Sequence, residues 1–308
     1  MYVLGVDGGG TKIEFLVSDY KLNPVVQFII EKNSNLKYVG PDKVIANLKE
    51  GFDRIAEFVN FSDIVYGYFG IAECGDKENP NNQKVFQFIG QYLKKYSLAD
   101  DQYSCFRSLS DRATGVLGIA GTGSAINLFS PEGNKINKSL GHGGRDFGRI
   151  LLIEAKYNYL KPGSEIYRTV KNFLGQDPVD FYNNLTPEES IRGETITQIP
   201  KALSNEYNSG NKQLRKELDN YLVVIAGRWA HKLTTYCYTN FGFGEDEDFD
   251  IVLTGGMWNW KRVLDITTQE VHKIFPKANI LHDDNTRPVI GCVKLAIEKG
   301  IEKGVISI

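Results

Sequence analysis

Three consecutive glycines near the start of the chain, Gly8–Gly10, limit the local fold more than any other feature of the sequence. Apolar runs rich in β-branched residues flank them at 2–7 and 13–18. This pattern predicts two strands joined by a tight turn, not a strand followed by a helix. Because glycine has no Cβ, the N–H groups of such a turn stay open to an anion such as phosphate. A second turn of this kind, Gly121–Ser124, suggests that two turns act on one nucleotide.

The bulk composition is that of an ordinary globular protein and argues against several classes. A length of 308 residues predicts two domains, and 42% hydrophobic with 24% charged residues allows a core in each. The net charge of −2 argues against nucleic acid or an anionic membrane as a partner. The cysteines lie too far apart in sequence for a zinc motif and suit buried thiols in a reducing compartment. With no signal peptide and no apolar run of about 20 residues, we expect a cytoplasmic protein.

The order of predicted elements in the first part of the chain is β-β-β-α-β-α-β. The strands are predicted at 2–7, 13–18, 24–30, 64–72 and 104–110, and the helices at about 42–59 and 83–96. The second part repeats this order, with strands at 114–120, 124–129, 135–140, 249–254 and 278–282 and helices at 213–239, 261–274 and 288–300. Further helices at 147–160 and 164–175 predict a helical insertion at about 147–212. The prediction is therefore an α/β protein with two domains of one plan, residues 1–112 and 113–308.

The first turn carries the residue types that a nucleotide-phosphate site needs. Asp7, at the end of a predicted strand, offers hard carboxylate oxygens to Mg²⁺, directly or through water. Thr11 and the amides of Gly9 and Gly10 would bind phosphate oxygens, and Lys12 would add positive charge. The segment is neither a Walker A loop nor a dinucleotide fingerprint. A tight hairpin with structural glycines and a solvent-facing aspartate is the alternative.

Two further glycine turns also follow apolar runs. Gly121–Gly123 repeats the character of the first turn. Gly255–Met257 ends the predicted strand 249–254 and precedes a helix, so a flat group such as adenosine could lie against its backbone. Taken singly, each of these turns is also compatible with an ordinary structural turn.

In order and spacing, the three turns resemble the phosphate-1, phosphate-2 and adenosine motifs of the BadF/BadG/BcrA/BcrD ATPase family, in particular its N-acetylglucosamine kinase-type members. That family belongs to the sugar kinase, actin and Hsp70 superfamily, and the resemblance covers nearly the whole chain. It implies two ribonuclease H-like domains with an ATP cleft between them. It also implies ATP and Mg²⁺ as cofactors, the metal on Asp7, and nucleotide contacts from Asp7, Gly9, Gly10, Thr11, Lys12, Gly121, Thr122, Gly123, Gly255, Gly256 and Met257.

The resemblance further implies a catalytic aspartate at the end of the strand that precedes the second domain. Asp111 stands in that place if 104–110 is a strand. A carboxylate there would take the proton of the acceptor hydroxyl as the bond to phosphorus forms. A helix N-cap before Arg112 is the alternative role for Asp111. The sugar contacts that the resemblance implies are Asn35, Ser124, Ala125, Gly141, His142 and Asp146.

One stretch departs from the family pattern W-G-H-x-x-G-D-E-G-S. Leu140 stands for the tryptophan, Phe147 for the glutamate and Arg149 for the serine. Loss of a hydroxyl-binding carboxylate should weaken or redirect sugar recognition, and an arginine there would favour an anionic group. Surface or interdomain ion-pair roles for Arg145 and Arg149 are the alternative, as is a turn histidine with a backbone partner at 142.

These features predict ATP-dependent phosphorylation of an amino sugar or hexose hydroxyl, with Asp111 as general base and a small-molecule sugar as the partner. Two alternatives stay open. An ATPase of the same family without a sugar acceptor is disfavoured, because Cys105 and Cys237 lack the glycine-flanked setting of a shared iron–sulfur cluster. A non-catalytic sugar or nucleotide sensor is motivated by the altered stretch at 140–149. The resemblance is also compatible with a homodimer.

Overall fold

A computed structural model describes residues 1–130, 135–139, 143–187, 189 and 193–307 of the chain. The chain divides into two units. Unit 1 comprises Met1–Ala113 together with Asn285–Ile308, and unit 2 comprises Thr114–Asp284. The first boundary lies next to the predicted one. The last segment of the chain, however, belongs to unit 1 and not to the predicted second domain 113–308.

The elements of the described residues follow the chain in this order. The strands are β1 (Tyr2–Gly8), β2 (Ile13–Ser18), β3 (Pro24–Ile30), β4 (Ile64–Ile71), β5 (Tyr96–Ala99), β6 (Gly115–Ala120), β7 (Ser124–Phe129), β8 (Lys135–Ser139), β9 (Asp250–Thr254) and β10 (Asn279–His282). The helices are α1 (Leu36–Ala56), α2 (Pro80–Ile89), α3 (Asp101–Leu109), α4 (Gly144–Lys156), α5 (Glu165–Leu174), α6 (Pro178–Asn183), α7 (Glu194–Asn208), α8 (Lys212–Phe241), α9 (Lys261–His272) and α10 (Pro288–Glu302).

Each unit contains a five-stranded sheet of the same topology. The strand order is β3-β2-β1-β4-β5 in unit 1 and β10-β9-β6-β7-β8 in unit 2. In both sheets the first strand pairs antiparallel with the second and parallel with the fourth. The predicted repetition of one α/β plan is therefore confirmed. Helices α4–α7 lie in the predicted insertion at about 147–212. Among the described residues, no helix has the length and apolar character required to span a bilayer.

The end of the first β-β-β-α-β-α-β run differs from the prediction. The fifth strand is β5, and residues 101–109 form α3 instead of the predicted strand 104–110. The predicted helix 83–96 was too long and covered the start of β5. The physical reason is a close helix contact: a Cβ on Gly291 of α10 would lie 1.8 Å from the carbonyl oxygen of Ser104 in α3. Small polar residues on the buried side of α3, such as Ser104 and Ser108, obscure its helical periodicity.

The last helix joins unit 1 because it covers one face of the first sheet. Val289, Cys292 and Val293 of α10 are fully buried in a cluster with residues of β1, β2 and β4. Gly5 of β1 permits this approach, since a Cβ there would lie 2.7 Å from the Val293 side chain. The helix α10 is thus part of the core that supports the first glycine turn.

Candidate active site

The first glycine turn closes the β1–β2 hairpin and is held from behind by Ser34. Gly9 N–H donates to the Lys12 carbonyl at 3.0 Å, while the N–H and Oγ of Ser34 donate to the Gly9 carbonyl at 2.8 and 3.1 Å. Gly8 is required for this packing, because a Cβ there would lie 2.6 Å from Ser34 Oγ. The shape of the turn is therefore fixed by contacts on its inner side.

The outer side of the same turn is open. A Cβ on Gly9 or Gly10 would meet no atom within 4 Å, and neither residue has a left-handed backbone. Neither packing nor backbone strain therefore explains glycine at these two positions. Open space in front of unhindered N–H groups is what a phosphate site requires. This geometry favours the predicted ligand site over a purely structural turn.

Buried charge surrounds the strand ends at this hairpin. Asp7 of β1 is the direct cross-strand partner of Glu14 on β2. Burial, and after it the Glu14 carboxylate, raises the pKa of Asp7 to about 7, while Lys12 acts in the opposite direction. Glu14 is only 1% exposed and accepts from Nε and Nη2 of Arg287 at 3.1 and 2.6 Å. Lys12 Nζ lies 3.7 Å from the other Glu14 oxygen, Oε2.

Glu14 and Arg287 are residues that the sequence analysis missed. The signal for Glu14 was available, because an acidic residue stands at 14 inside an otherwise apolar predicted strand. The signal for Arg287 was not, because it lies far from the hairpin in sequence. Their ion pair partly compensates the charge of Glu14, which still acts on Asp7, the carboxylate at the end of β1.

The donor set at Asp7 fits a hard cation held mainly by the nucleotide. Within the described residues, no group of three or more His, Cys, Asp or Glu side chains is placed to hold a metal ion. A single carboxylate such as Asp7 suits Mg²⁺, which keeps several waters and is usually bound through one or two carboxylates together with substrate phosphates. A cation near Asp7 would also favour its ionised form, which burial opposes.

The second glycine turn joins β6 to β7 in unit 2 and is held by the start of α4. Gly144 N–H donates to the Gly121 carbonyl at 2.7 Å, and Arg145 N–H to the Thr122 carbonyl at 3.0 Å. A Cβ on Gly121 or Gly123 would meet no atom within 4 Å. The outer side of this turn is therefore as open as that of the first.

The third turn packs directly against the second. Gly255 has φ +105°, and a Cβ there would lie 2.6 Å from the Ala120 carbonyl carbon and from Gly121 N, so only glycine fits. Met257 N–H donates to the Ala120 carbonyl at 2.9 Å. At Gly256, by contrast, a Cβ would meet nothing within 4 Å. The structure thus brings together two glycine turns of the same half that lie far apart in sequence.

A cavity of about 580 Å³ opens where these two turns meet. One wall is formed by the two turns and by Trp260, and the other by helix α7, which the sequence analysis did not assign to any site. The polar residues of α7 recur at helical spacing on one face, while Ile196, Ile199 and Leu203 are buried on the other. The residues that line the cavity from α7 include Thr197, Gln198, Lys201, Ser204, Asn205 and Asn208.

Asp111 does not occupy the position that the resemblance implied. It follows helix α3, not a strand. Its side chain is 88% exposed and accepts from Lys294 Nζ at 2.8 Å, and this contact holds the pKa of Asp111 below its usual range. The premise of a strand ending at Ser110–Asp111 is therefore wrong. A lowered pKa also makes this carboxylate a weaker base.

Another acidic pair, Asp100–Asp101, directly follows β5 at the start of α3. Because β1, β4 and β5 are parallel, this pair lies at the same edge of the sheet as Asp7. The thiol of Cys292 is affected by both Asp7 and Asp101. Burial, and after it Asp7, raises the pKa of this thiol above the usual range, and Asp101 acts in the same direction. The geometry agrees, because a Cβ on Gly70, the cross-strand partner of both Asp7 and Ala99, would lie 3.2 Å from Cys292 Sγ.

The residues predicted to contact the sugar differ in their structural positions and hydrogen-bond partners. Asn35 is the N-cap of α1, and its Oδ1 accepts from Lys37 N–H at 3.1 Å. Asp146 accepts from Gly143 N–H at 3.0 Å through Oδ2, which ties down the start of α4. Ser124 and Ala125 begin β7 beside the second turn. Leu140, Gly141 and His142 lie outside the described residues. The sugar roles of all these residues stay predictions.

This chain is similar to known proteins over nearly its full length. No family model matches it. N-acetyl-D-glucosamine kinase of Dictyostelium discoideum is 24% identical over 324 residues, which cover 96% of this chain and 97% of that protein.

Solved structures share the two-unit architecture. A Chromobacterium violaceum protein with a provisional assignment as an N-acetylglucosamine kinase gives a TM-score of 0.65 at 17% identity, covering 96% of this chain and 98% of that one. A ROK family glucokinase from Streptomyces griseus, in complex with glucose and AMPPNP, gives 0.61 at 15% identity, covering 97% and 100%.

These similarities confirm two predictions made from the sequence. The resemblance to N-acetylglucosamine kinases is confirmed. The fold, an α/β protein with two ribonuclease H-like domains, is also confirmed. The predicted enzyme class, a sugar kinase, agrees with the relatives found.

Proposed function

We propose that this protein transfers a phosphoryl group from ATP to a hydroxyl of an amino sugar or hexose. The observation that carries the proposal is the cavity of about 580 Å³ in unit 2, built from two glycine turns whose outer sides are open. Its size and polar lining suit a nucleoside. The relatives support the acceptor class, since the Dictyostelium discoideum protein is named as an N-acetyl-D-glucosamine kinase and the Streptomyces griseus glucokinase holds glucose.

The proposed roles follow from the chemistry of phosphoryl transfer, which depends mainly on positioning and on charge stabilisation. The amides of Gly9 and Gly10 in one turn, and of Gly121 and Thr122 in the other, bind phosphate oxygens. Asp7 holds Mg²⁺ through one carboxylate or through water. The metal, when bound with ATP, neutralises charge on the phosphates.

For the general base we propose Asp101 in place of Asp111. The base must reach the acceptor hydroxyl near the transferred phosphoryl group, and Asp101 shares the sheet edge of Asp7. Asp111 instead forms an exposed ion pair with Lys294. Asp100, next in sequence, provides a matched control of the same charge.

Coupled measurement of ADP release with glucose, glucosamine and N-acetylglucosamine tests the activity. Asp101→Asn is expected to lower sugar-dependent kcat by about 10²–10⁴-fold, whereas Asp100→Asn and Asp111→Asn should retain most of it. A loss confined to Asp111→Asn would restore the base implied by the family resemblance. ATP hydrolysis that no sugar stimulates would favour the ATPase alternative, and sugar binding by calorimetry without ADP release would favour a sensor.

A further inference from the structure

Two arginines lie one helical turn apart on α4, at 145 and 149, so their side chains leave the same face of the helix. Both are half-buried, and the Nε atom of each is buried without a hydrogen-bond partner. In the described part of unit 2, neither guanidinium forms an ion pair. A buried donor without an acceptor costs about 1–3 kcal/mol. The described residues of unit 2 thus supply no ion-pair partner for either arginine.

Between Arg145 and Arg149 in sequence, the single acidic residue, Asp146, is already engaged. Phe147, which stands where the family pattern has glutamate, is 3% exposed and packs against Tyr221 and Trp260 at ring-centroid distances of 6.3 and 6.5 Å. Phe147 is therefore a core residue and offers no hydroxyl-binding carboxylate. Asp146 is tied to the Gly143 amide at the start of the helix. The first turns of α4 consequently keep Asp146 but carry Phe147 and Arg149 where the family pattern carries a glutamate and a serine.

The start of α4 also lies beside the turn that the proposed function assigns to phosphate. Arg145 donates its backbone N–H to the carbonyl of Thr122 in that turn. An acceptor must bring its hydroxyl to the phosphate being transferred, so it must approach this end of the helix.

We propose that the acceptor sugar is acidic and that Arg145 and Arg149 bind its anionic group, a carboxylate in the simplest case. This inference rests on the proposed kinase function and specifies its substrate class. A planar carboxylate matches the fork of a guanidinium, and two guanidinium groups at this spacing can share its two oxygens. A neutral amino sugar would leave both buried Nε donors without an acceptor, which a site of this kind rejects.

The test compares acceptors that differ by a carboxylate: gluconate with glucose, and N-acetylmuramic acid with N-acetylglucosamine. For at least one pair, the acidic member is expected to have a kcat/KM about tenfold or more above its neutral partner. Arg149→Ser, which restores the residue of the family pattern, should lower that acidic-to-neutral ratio about 10- to 100-fold. Arg145→Ala should lower it in the same direction, and Arg149→Lys should retain part of it because the charge is kept.

Arg168→Ala is the matched control, since Arg168 is an exposed arginine of unit 2 paired with Glu165. It should leave the ratio unchanged. A wild-type preference for the neutral member of both pairs would overturn the proposal, as would an Arg149→Ser loss shared equally by both members. A rise in KM for ATP in Arg149→Ser would assign the arginines to nucleotide phosphate and would also overturn it.

Calorimetry without nucleotide separates this proposal from the kinase function. Binding of gluconate or N-acetylmuramic acid that Arg149→Ser weakens, together with no ADP release for any acceptor, would reject the kinase and keep the anion site. ADP release with neutral sugars alone, and no binding of either acid, would keep the kinase and reject the anion site.

Discussion

The two glycine hairpins, β1–β2 and β6–β7, occupy the same place in the same strand order. They differ in the polarity of the side chains beside the turn. The next-to-last cross-strand pair is Asp7 with Glu14 in the first hairpin and Ile119 with Ala125 in the second. The first hairpin therefore carries buried charge at this pair, whereas the matching pair of the second hairpin is apolar. The difference teaches that two hairpins of one backbone plan can differ in charge: under the proposed function both would bind phosphate, but only the first would add a carboxylate for the metal.

Asp7→Asn removes the carboxylate that distinguishes the first hairpin. We expect kcat for sugar-dependent ADP release to fall on the order of 10²–10³-fold at saturating ATP, because charge on the phosphates then lacks its held cation. Added Mn²⁺ or Mg²⁺ should restore little of the rate. Asp53→Asn, which changes an exposed carboxylate of α1, is the control and should be silent. A normal rate in Asp7→Asn would mean that the two hairpins do not differ in this way.

Arg287→Gln tests whether Arg287 compensates the buried charge of Glu14 in the first hairpin. It leaves Glu14, which is 1% exposed, with a hydrogen bond from the neutral Gln27 amide at 3.1 Å and the distant Lys12 as its only cation among these contacts. We expect the free energy of unfolding in urea to fall by about 3 kcal/mol, since an uncompensated buried charge is costly. The double variant Glu14→Gln/Arg287→Gln should recover most of that loss. Equal losses of unfolding free energy in the single and double variants would show that the Glu14–Arg287 ion pair does not stabilise the hairpin.

Gly255→Ala tests the feature that only the second hairpin has, its backbone contact with the third turn. A methyl group would have to fit 2.6 Å from Ala120 and Gly121 at φ +105°. We expect a loss of about 2–3 kcal/mol in the stability of unit 2 and a loss of ATP binding. Gly256→Ala, its neighbour in open space, should keep the stability and weaken ATP binding only. Thermal unfolding and calorimetry with AMPPNP measure the two effects separately.

Asp111→Asn is the variant with the smallest expected effect, and the stability losses of the hairpin variants are compared with it. Its ion pair with Lys294 is exposed, so we expect a loss of at most about 0.5 kcal/mol in stability at pH 7. Because the folded-state pKa of Asp111 is lowered, its contribution is present above the unfolded pKa of about 3.9 and disappears as the pH falls through the lower folded value. Urea unfolding at pH 7 and at pH 2.5 should therefore show a small difference from wild type at pH 7 only.

The sequence predicted both hairpins because their signals are local. Apolar runs bounded by glycine identify β1–β2 and β6–β7 without any knowledge of the rest of the chain. It misplaced β5 and α3 because β5 is a strand of only four residues and α3 buries serines against α10. The same error placed Asp111 after a predicted strand, whereas in the structure it follows α3.

Long-range features were beyond the sequence pattern. Nothing local shows that α10 returns to the first sheet, so Arg287 could not be paired with Glu14. The polar face of α7 was visible as periodicity, but its role depends on where the helix packs. Arg149 was noticed as a departure, yet only its buried, unpartnered Nε gives that departure physical meaning.

The position of α10 in the chain also bears on how the protein is made. Val3, Leu16, Tyr66 and Tyr68 form the sheet face that α10 covers, and they are synthesised before unit 2, whereas α10 is synthesised after it. During translation, unit 2 is a continuous segment that can complete its own core, while unit 1 waits with an apolar face exposed. A chain that ended at residue 284 would therefore have a complete second unit, but its first unit would expose an apolar sheet face. Chaperone capture of the nascent chain should be centred on that early sheet.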